Sequence, residues 1–128
     1  REFHIQPDEA IEVGQEITLS SLFNIGDKVA ISGVSKGRGF QGVVKRHGFS
    51  GGRKTHGSNF HRAPGSIGCS AWPSRVLKGK KLPGQMGNDR VTQKNLKIVD
   101  IRDDHVLLVR GAVPGAKDGL VNIYIMPA

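Results

Sequence analysis

Short runs in which apolar residues alternate with polar or small ones mark the two ends of the chain. Val29, Ile31 and the Gly33-Val34 pair follow a Gly26-Asp27 turn in this way, the period of a strand with one buried face. Toward the other end, Leu96–Ile101 and His105–Val109 flank Arg102-Asp103-Asp104, the pattern of a hairpin. Pro114-Gly115 suits the central pair of a type II turn, because Pro presets its own φ and Gly accepts a positive one. That turn leads into a last strand, Leu120–Ile125, and Ser20–Phe23 is expected to make a short helical turn. Strands this short, separated by turn signals, predict a mainly β fold with the character of a small barrel.

Between residues 34 and 90 no helical or strand period is held for long. This middle segment contains twelve glycines and only scattered apolar residues: Phe40, Val43-Val44, Phe49, Phe60, Ile67, Trp72 and Val76-Leu77. So few apolar groups do not offset the entropy of ordering the segment. An irregular stretch of this length is otherwise uncommon inside a compact domain unless it is functional. The organisation expected is therefore tripartite, with barrel strands in 1–33 and 91–128 and an irregular, glycine-rich extension in 34–90.

Charge sharpens the division. The net charge is +8 and the isoelectric point about 10.1, which calls for an anionic partner without naming it. Residues 1–33 carry two basic and six acidic side chains, net −4, and residues 91–128 five basic and four acidic, net +1. Residues 34–90 carry twelve basic side chains and one acid, Asp89, net +11. The twelve are Lys36, Arg38, Lys45, Arg46, Arg53, Lys54, Arg62, Arg75, Lys78, Lys80, Lys81 and Arg90. A solvated surface mixes signs, whereas this set matches a polyanion; Arg forks phosphates and stacks on bases, and Lys acts as a mobile point charge. Phosphates would then supply the stabilisation that the segment lacks, making RNA one of its structural components. Phe40, Phe49, Phe60 and Trp72 offer faces for unpaired bases, although each Phe is equally well explained by local packing.

Several chemistries are excluded by what the segment lacks. Gly37-Arg38-Gly39-Phe40-Gln41-Gly42 spells G-x-G-x-x-G, but that fingerprint needs a following helix and an acid about twenty residues on. The next residues, Val43–Gly48, are not read as a helix, and no acid occurs before Asp89. Gly48–Thr55 resembles a phosphate-binding loop loosely, with Arg53 where the last glycine belongs and no strand before it or helix after it. His47, His56, His61 and Cys69 fit no structural-zinc spacing, and Cys69 has no nearby acid to complete a nucleophilic triad. A DNA-binding module would need a recognition helix, and none is predicted. The single cysteine forms no internal disulfide, and no apolar run reaches the length of a membrane span. Arg1-Glu2-Phe3-His4 is neither a signal peptide nor an initiator methionine, so the chain is expected to begin inside a longer protein.

Taken in order, the motifs of the chain resemble the large-subunit ribosomal protein L3 family in its bacterial or organellar form. The resemblance is carried by Lys36–Arg46, by Thr55-His56-Gly57-Ser58, by His61–Gly68, by Lys78–Asn88 and by Gly111–Gly115, and it extends over the whole chain. It implies a translation-factor type of β-barrel on the solvent side of the large subunit. A long extension then threads between rRNA helices toward the peptidyl transferase centre. It further implies early binding during assembly, no catalysis, no cofactor or metal, no membrane and no small-molecule substrate. Partners would be large-subunit rRNA and neighbouring large-subunit proteins, in the cytoplasm of a bacterium or in an organelle. By position, rRNA contacts fall to the twelve cations together with His56 and His61, and the extension's tip to Ser66, Ile67, Gly68, Cys69 and Trp72, within Ser66–Pro73. Two departures stand out. The family's amino-terminal strands, which help close the barrel, are not in this chain, and the tip Gly68–Pro73 has no glutamine, a residue methylated in some bacterial members.

Overall fold

A computed structural model of the chain describes residues 12–102 and 105–126. The fold is mainly β. Its elements are α1 (Leu19–Leu22), β1 (Lys28–Val34), β2 (Gly39–Gln41), α2 (Val43–His47), β3 (Gly84–Met86), β4 (Arg90–Arg102), β5 (Val106–Arg110) and β6 (Val121–Ile125). Four strands form one sheet in the order β5-β4-β1-β6, and β2 and β3 form a second, two-stranded sheet. The strands close no barrel among the described residues, because β5 and β6 each have a neighbour on one side only. The chain divides into two compact units, one comprising Ser32–Thr92 and Pro114–Val121 and the other the rest of the described residues.

Burial begins with β1. Five consecutive residues, Val29–Gly33, are buried, where a half-buried strand would alternate. Val29 and Ile31 supply the apolar bulk, while Ala30 and Ser32 on the other face are small enough to be covered easily. The Arg90 guanidinium lies over Ser32 and donates to its Oγ from Nε (3.3 Å) and Nη2 (3.2 Å). The start of β1 is tied to β4 by Gly26 N–H to the Ile98 carbonyl (2.9 Å) and Ile98 N–H to the Asp27 carbonyl (3.0 Å). Leu96 and Ile98 of β4 join Val29 and Ile31 in the core.

The expected hairpin forms as β4 and β5, antiparallel, pairing Ile98 with Val109 and Arg102 with Val106. A bulge between Ile98 and Asp100 turns Val99 out to solvent. His105, expected to open the second strand, instead sits in the turn at φ 63°; Asp103 and Asp104 lie outside the described residues. The last strand and the short helix at Leu19–Leu22 fall where the pattern put them. The turn before β6 has Lys117-Asp118 as its central pair, three residues later than Pro114-Gly115: Gly119 N–H closes onto the Ala116 carbonyl (3.2 Å), with Asp118 at φ 62°. Gly115 does take a positive φ, but it brings its backbone against the Val34 carbonyl rather than closing a turn. The expected strands of the first eleven residues lie outside the described residues.

Replacing Ile98, which is fully buried, by Ala should cost about 2–5 kcal/mol, read as a lower urea midpoint. Val99→Ala at the exposed bulge next to it should stay within about 0.5 kcal/mol. Equal effects would mean that β4 is not packed in this register.

Candidate nucleic-acid interface

The irregular segment is closed at its base by residues far apart in sequence. β2 pairs antiparallel with β3, Gly39 opposite Met86 and Gln41 opposite Gly84. Below them Ser35 N–H donates to the Asp89 carbonyl (2.9 Å), and Asn88 N–H donates to the Ser35 carbonyl (3.2 Å). Gly87, at φ 72°, passes so close to the Lys36 carbonyl that a Cβ there would collide with it. This close approach needs glycine.

A one-turn helix follows directly. The fingerprint G-x-G-x-x-G runs into α2 with Gly42 at its N-cap, which corrects the expectation that no helix follows. The nucleotide reading still fails: the helix has five residues, and the acid the fingerprint requires is missing. Local pattern concealed α2 because it is only five residues long and presents one buried side chain, Val43. Gly48 ends it in the left-handed conformation, φ 74°, donating its N–H to the Val44 carbonyl (3.0 Å). Two side chains of α2 then hold the returning arm. Arg46 Nη1 (2.7 Å) and His47 Nε2 (3.1 Å) both donate to the Leu82 carbonyl. Gly84 lies beside the guanidinium, where a Cβ would come within 2.6 Å of Nη1.

Beyond α2, residues 49–83 contain no helix or strand. The two arms are zipped at one place, by Gly52 N–H to the His61 carbonyl (3.2 Å) and by His61 Nδ1 to the Arg53 carbonyl (3.0 Å). Gly51 and Gly52 approach the His61 and Phe60 carbonyls too closely to admit a Cβ. So Gly51 and Gly52 of the false phosphate loop serve backbone-to-backbone contact, as Gly87 does, whereas Gly37, Gly39 and Gly42 of the fingerprint meet no backbone within 4 Å. From Arg53 to Gly79, apart from the turn at His56-Gly57, the one backbone N–H with a partner among the described residues is that of Phe60, on Ser58 Oγ (3.3 Å). Every other amide there faces water or a ligand, since backbone donors are obligatory hydrogen-bonding groups.

The charges are equally uncommitted. Lys36, Arg38, Lys45, Arg53, Lys54, Arg62, Arg75, Lys78, Lys80 and Lys81 are exposed, and none pairs with a carboxylate among the described residues. The ion pair found among those residues lies elsewhere, Arg102 with Asp100 at 3.9 Å. Arg46, His47, His61 and Arg90 instead hold the protein's own backbone or Ser32, a structural use that the sequence does not announce. His56 is exposed with a left-handed backbone, φ 57°. At the tip, Ser66 Oγ donates to the Gly68 carbonyl (3.2 Å), Ile67 and Cys69 are exposed, and Trp72 is 84% exposed. No group of three or more metal-binding side chains occurs among the described residues. No helix of the described residues is long and apolar enough to cross a membrane.

A row of unopposed cations beside unpaired amides is an arrangement for a polyanion, and comparison with known proteins gives it a family. The profile described as ribosomal protein L3 matches residues 3–106. The chain belongs to the ribosomal protein L3 family. It is 58% identical over 125 residues to the large ribosomal subunit protein uL3 of Desulfotalea psychrophila, covering 97% of this chain and 60% of the relative. It is 59% identical over 124 residues to the protein of that name in Desulforapulum autotrophicum, covering 96% and 59%. The corresponding figures for Alkaliphilus metalliredigens are 53% over 124 residues, 96% and 59%. The chain thus spans about 60% of the length of the first of these L3 relatives.

Arg46 and Lys45 are neighbours with different duties in this L3 chain. Arg46→Ala, which removes a donor from the Leu82 carbonyl, should lower the stability of the free protein by about 1–3 kcal/mol. Lys45→Ala should leave it within about 0.5 kcal/mol. Thermal melts of both variants check this. Gly52→Ala should destabilise the free protein because its Cβ meets the Phe60 carbonyl, while Gly37→Ala should not, its nearest neighbour being Asn88 Cβ at 3.8 Å. A Gly52→Ala melt equal to the parent would rule out the zipped arms.

Proposed function

We propose that the chain is a structural constituent of the large ribosomal subunit that binds large-subunit rRNA and catalyses no reaction. The observation that carries this reading is the segment Arg53–Gly79, where most backbone donors lack protein partners and the Lys and Arg side chains meet no carboxylate among the described residues. Phosphates answer both at once, since each offers acceptors for amides and negative charge for Lys and Arg. The names of the relatives, all large ribosomal subunit proteins, support the same assignment.

In this reading residues 34–90 are the rRNA-penetrating extension, and residues 1–33 and 91–128 contribute strands to a translation-factor type of barrel. The four-stranded sheet would be part of that barrel. Lys36, Arg38, Lys45, Arg53, Lys54, His56, Arg62, Arg75, Lys78, Lys80 and Lys81 neutralise phosphates. Arg46 and His61 contribute mainly by shaping the arms, and Arg90 by holding Ser32 of β1. The tip, Ser66–Gly68 with Cys69 and Trp72, reaches toward the peptidyl transferase centre, and any effect on peptide-bond formation passes through RNA positioning. Neighbouring large-subunit proteins share the rRNA, the setting is a bacterial cytoplasmic ribosome or an organellar one, and the protein supports subunit assembly.

Affinity for large-subunit rRNA fragments should fall steeply with salt, because each neutralised phosphate releases counterions. With six or more phosphate contacts the loss is about a thousandfold or greater between about 50 and 200 mM salt. Filter-binding titrations across that range provide the test. A flat profile would mean that the cations only decorate a surface.

A further inference from the structure

The zipped arms enclose a feature that phosphate neutralisation leaves unused. Phe49, Phe60, Ala63 and Pro64 wall a depression of about 460 Å³ whose floor is Gly51-Gly52. The floor is flat because no side chain fits there: a Cβ on either glycine would strike the carbonyls of His61 or Phe60. The walls are held from both sides. Phe49 packs its ring against His47, centroids 6.0 Å apart, and His47 is itself fixed on the Leu82 carbonyl (3.1 Å). Phe60 lies one residue from the Gly52–His61 hydrogen bond, yet is 61% exposed. Its backbone is fixed beside that bond while its ring stays open, with no aromatic partner for its face among the described residues.

The rim has the opposite character. Arg53 and Lys54 follow the glycine floor, and Arg62 precedes Ala63; all three are exposed and none meets a carboxylate among the described residues. An apolar peptide would fit the walls but leave these three cations unanswered. Duplex RNA would answer the cations but cannot enter, because its bases are stacked. A nucleotide whose base is turned out of its helix satisfies both parts, the base on the Phe and Pro faces and its flanking phosphates on the rim. We propose that this depression is a pocket for one unstacked nucleobase of the RNA, with Phe60 as its stacking face. This inference rests on the RNA-binding reading above and adds a site to it.

The test uses the full chain and two RNA hairpins of equal length whose strands are joined by a non-nucleotide linker, one fully paired and one with a single bulged 2-aminopurine. The bulged hairpin should bind about tenfold more tightly, the worth of one base stacked on an aromatic ring, and its fluorescence should be quenched on binding. Phe60→Ala should abolish both the preference and the quenching while leaving affinity for the paired hairpin unchanged. Phe60→Tyr should retain both, and Phe60→Leu, which keeps the apolar bulk without the flat face, should lose most of the preference. Equal affinity of the parent for the two hairpins would overturn the pocket while leaving RNA binding intact, as would a preference that survives in Phe60→Ala. Failure to bind either hairpin would remove the RNA-binding reading itself, and the pocket with it.

Discussion

Unbalanced positive charge on an under-bonded backbone is the constraint around which the Ser32–Thr92 region is organised. Like charges spread over a chain repel, and a segment with few apolar side chains cannot draw them together. The structure meets this with a small number of strong local devices in place of a core. The β2–β3 ladder closes the base, two donors from α2 converge on the Leu82 carbonyl, and glycines let the arms approach within backbone contact. Beyond these pins the described residues make only short-range hydrogen bonds, such as Ser66 Oγ to the Gly68 carbonyl, and most backbone donors have no protein partner.

That division of labour separates cations that look alike in sequence. Arg90 forks the Ser32 hydroxyl from Nε and Nη2, a geometry that a lysine would not reproduce, and Arg46 gives one donor to the Leu82 carbonyl. Lys36, Lys54, Lys78, Lys80 and Lys81 remain exposed as flexible point charges. His47 and His61 also serve as struts, each with a ring nitrogen on a carbonyl. The structural residues hold a shape, and the exposed ones meet no carboxylate among the described residues. Electrostatic attraction alone would not distinguish one RNA from another, whereas a rigid shape with an apolar pocket can favour RNA that offers an unstacked base.

Much of this was legible in the sequence. Charge partition and glycine content set residues 34–90 apart as a basic, glycine-rich segment, because net charge is a sum over composition and needs no coordinates. The strands of the ends were visible as alternating apolar runs, since a strand's period is local. Motif order carried the family. What only the tertiary structure decided involves partners distant in the chain. The pairing of β2 with β3, the meeting of Arg46 and His47 with Leu82, and the continuous burial of β1 all depend on which distant residue arrives alongside. Likewise Gly51-Gly52, letters of a false phosphate loop when read in line, became the floor of an aromatic pocket because Phe60 and His61 fold back onto them. Composition and periodicity record what each residue can do; only the fold determines what stands next to it.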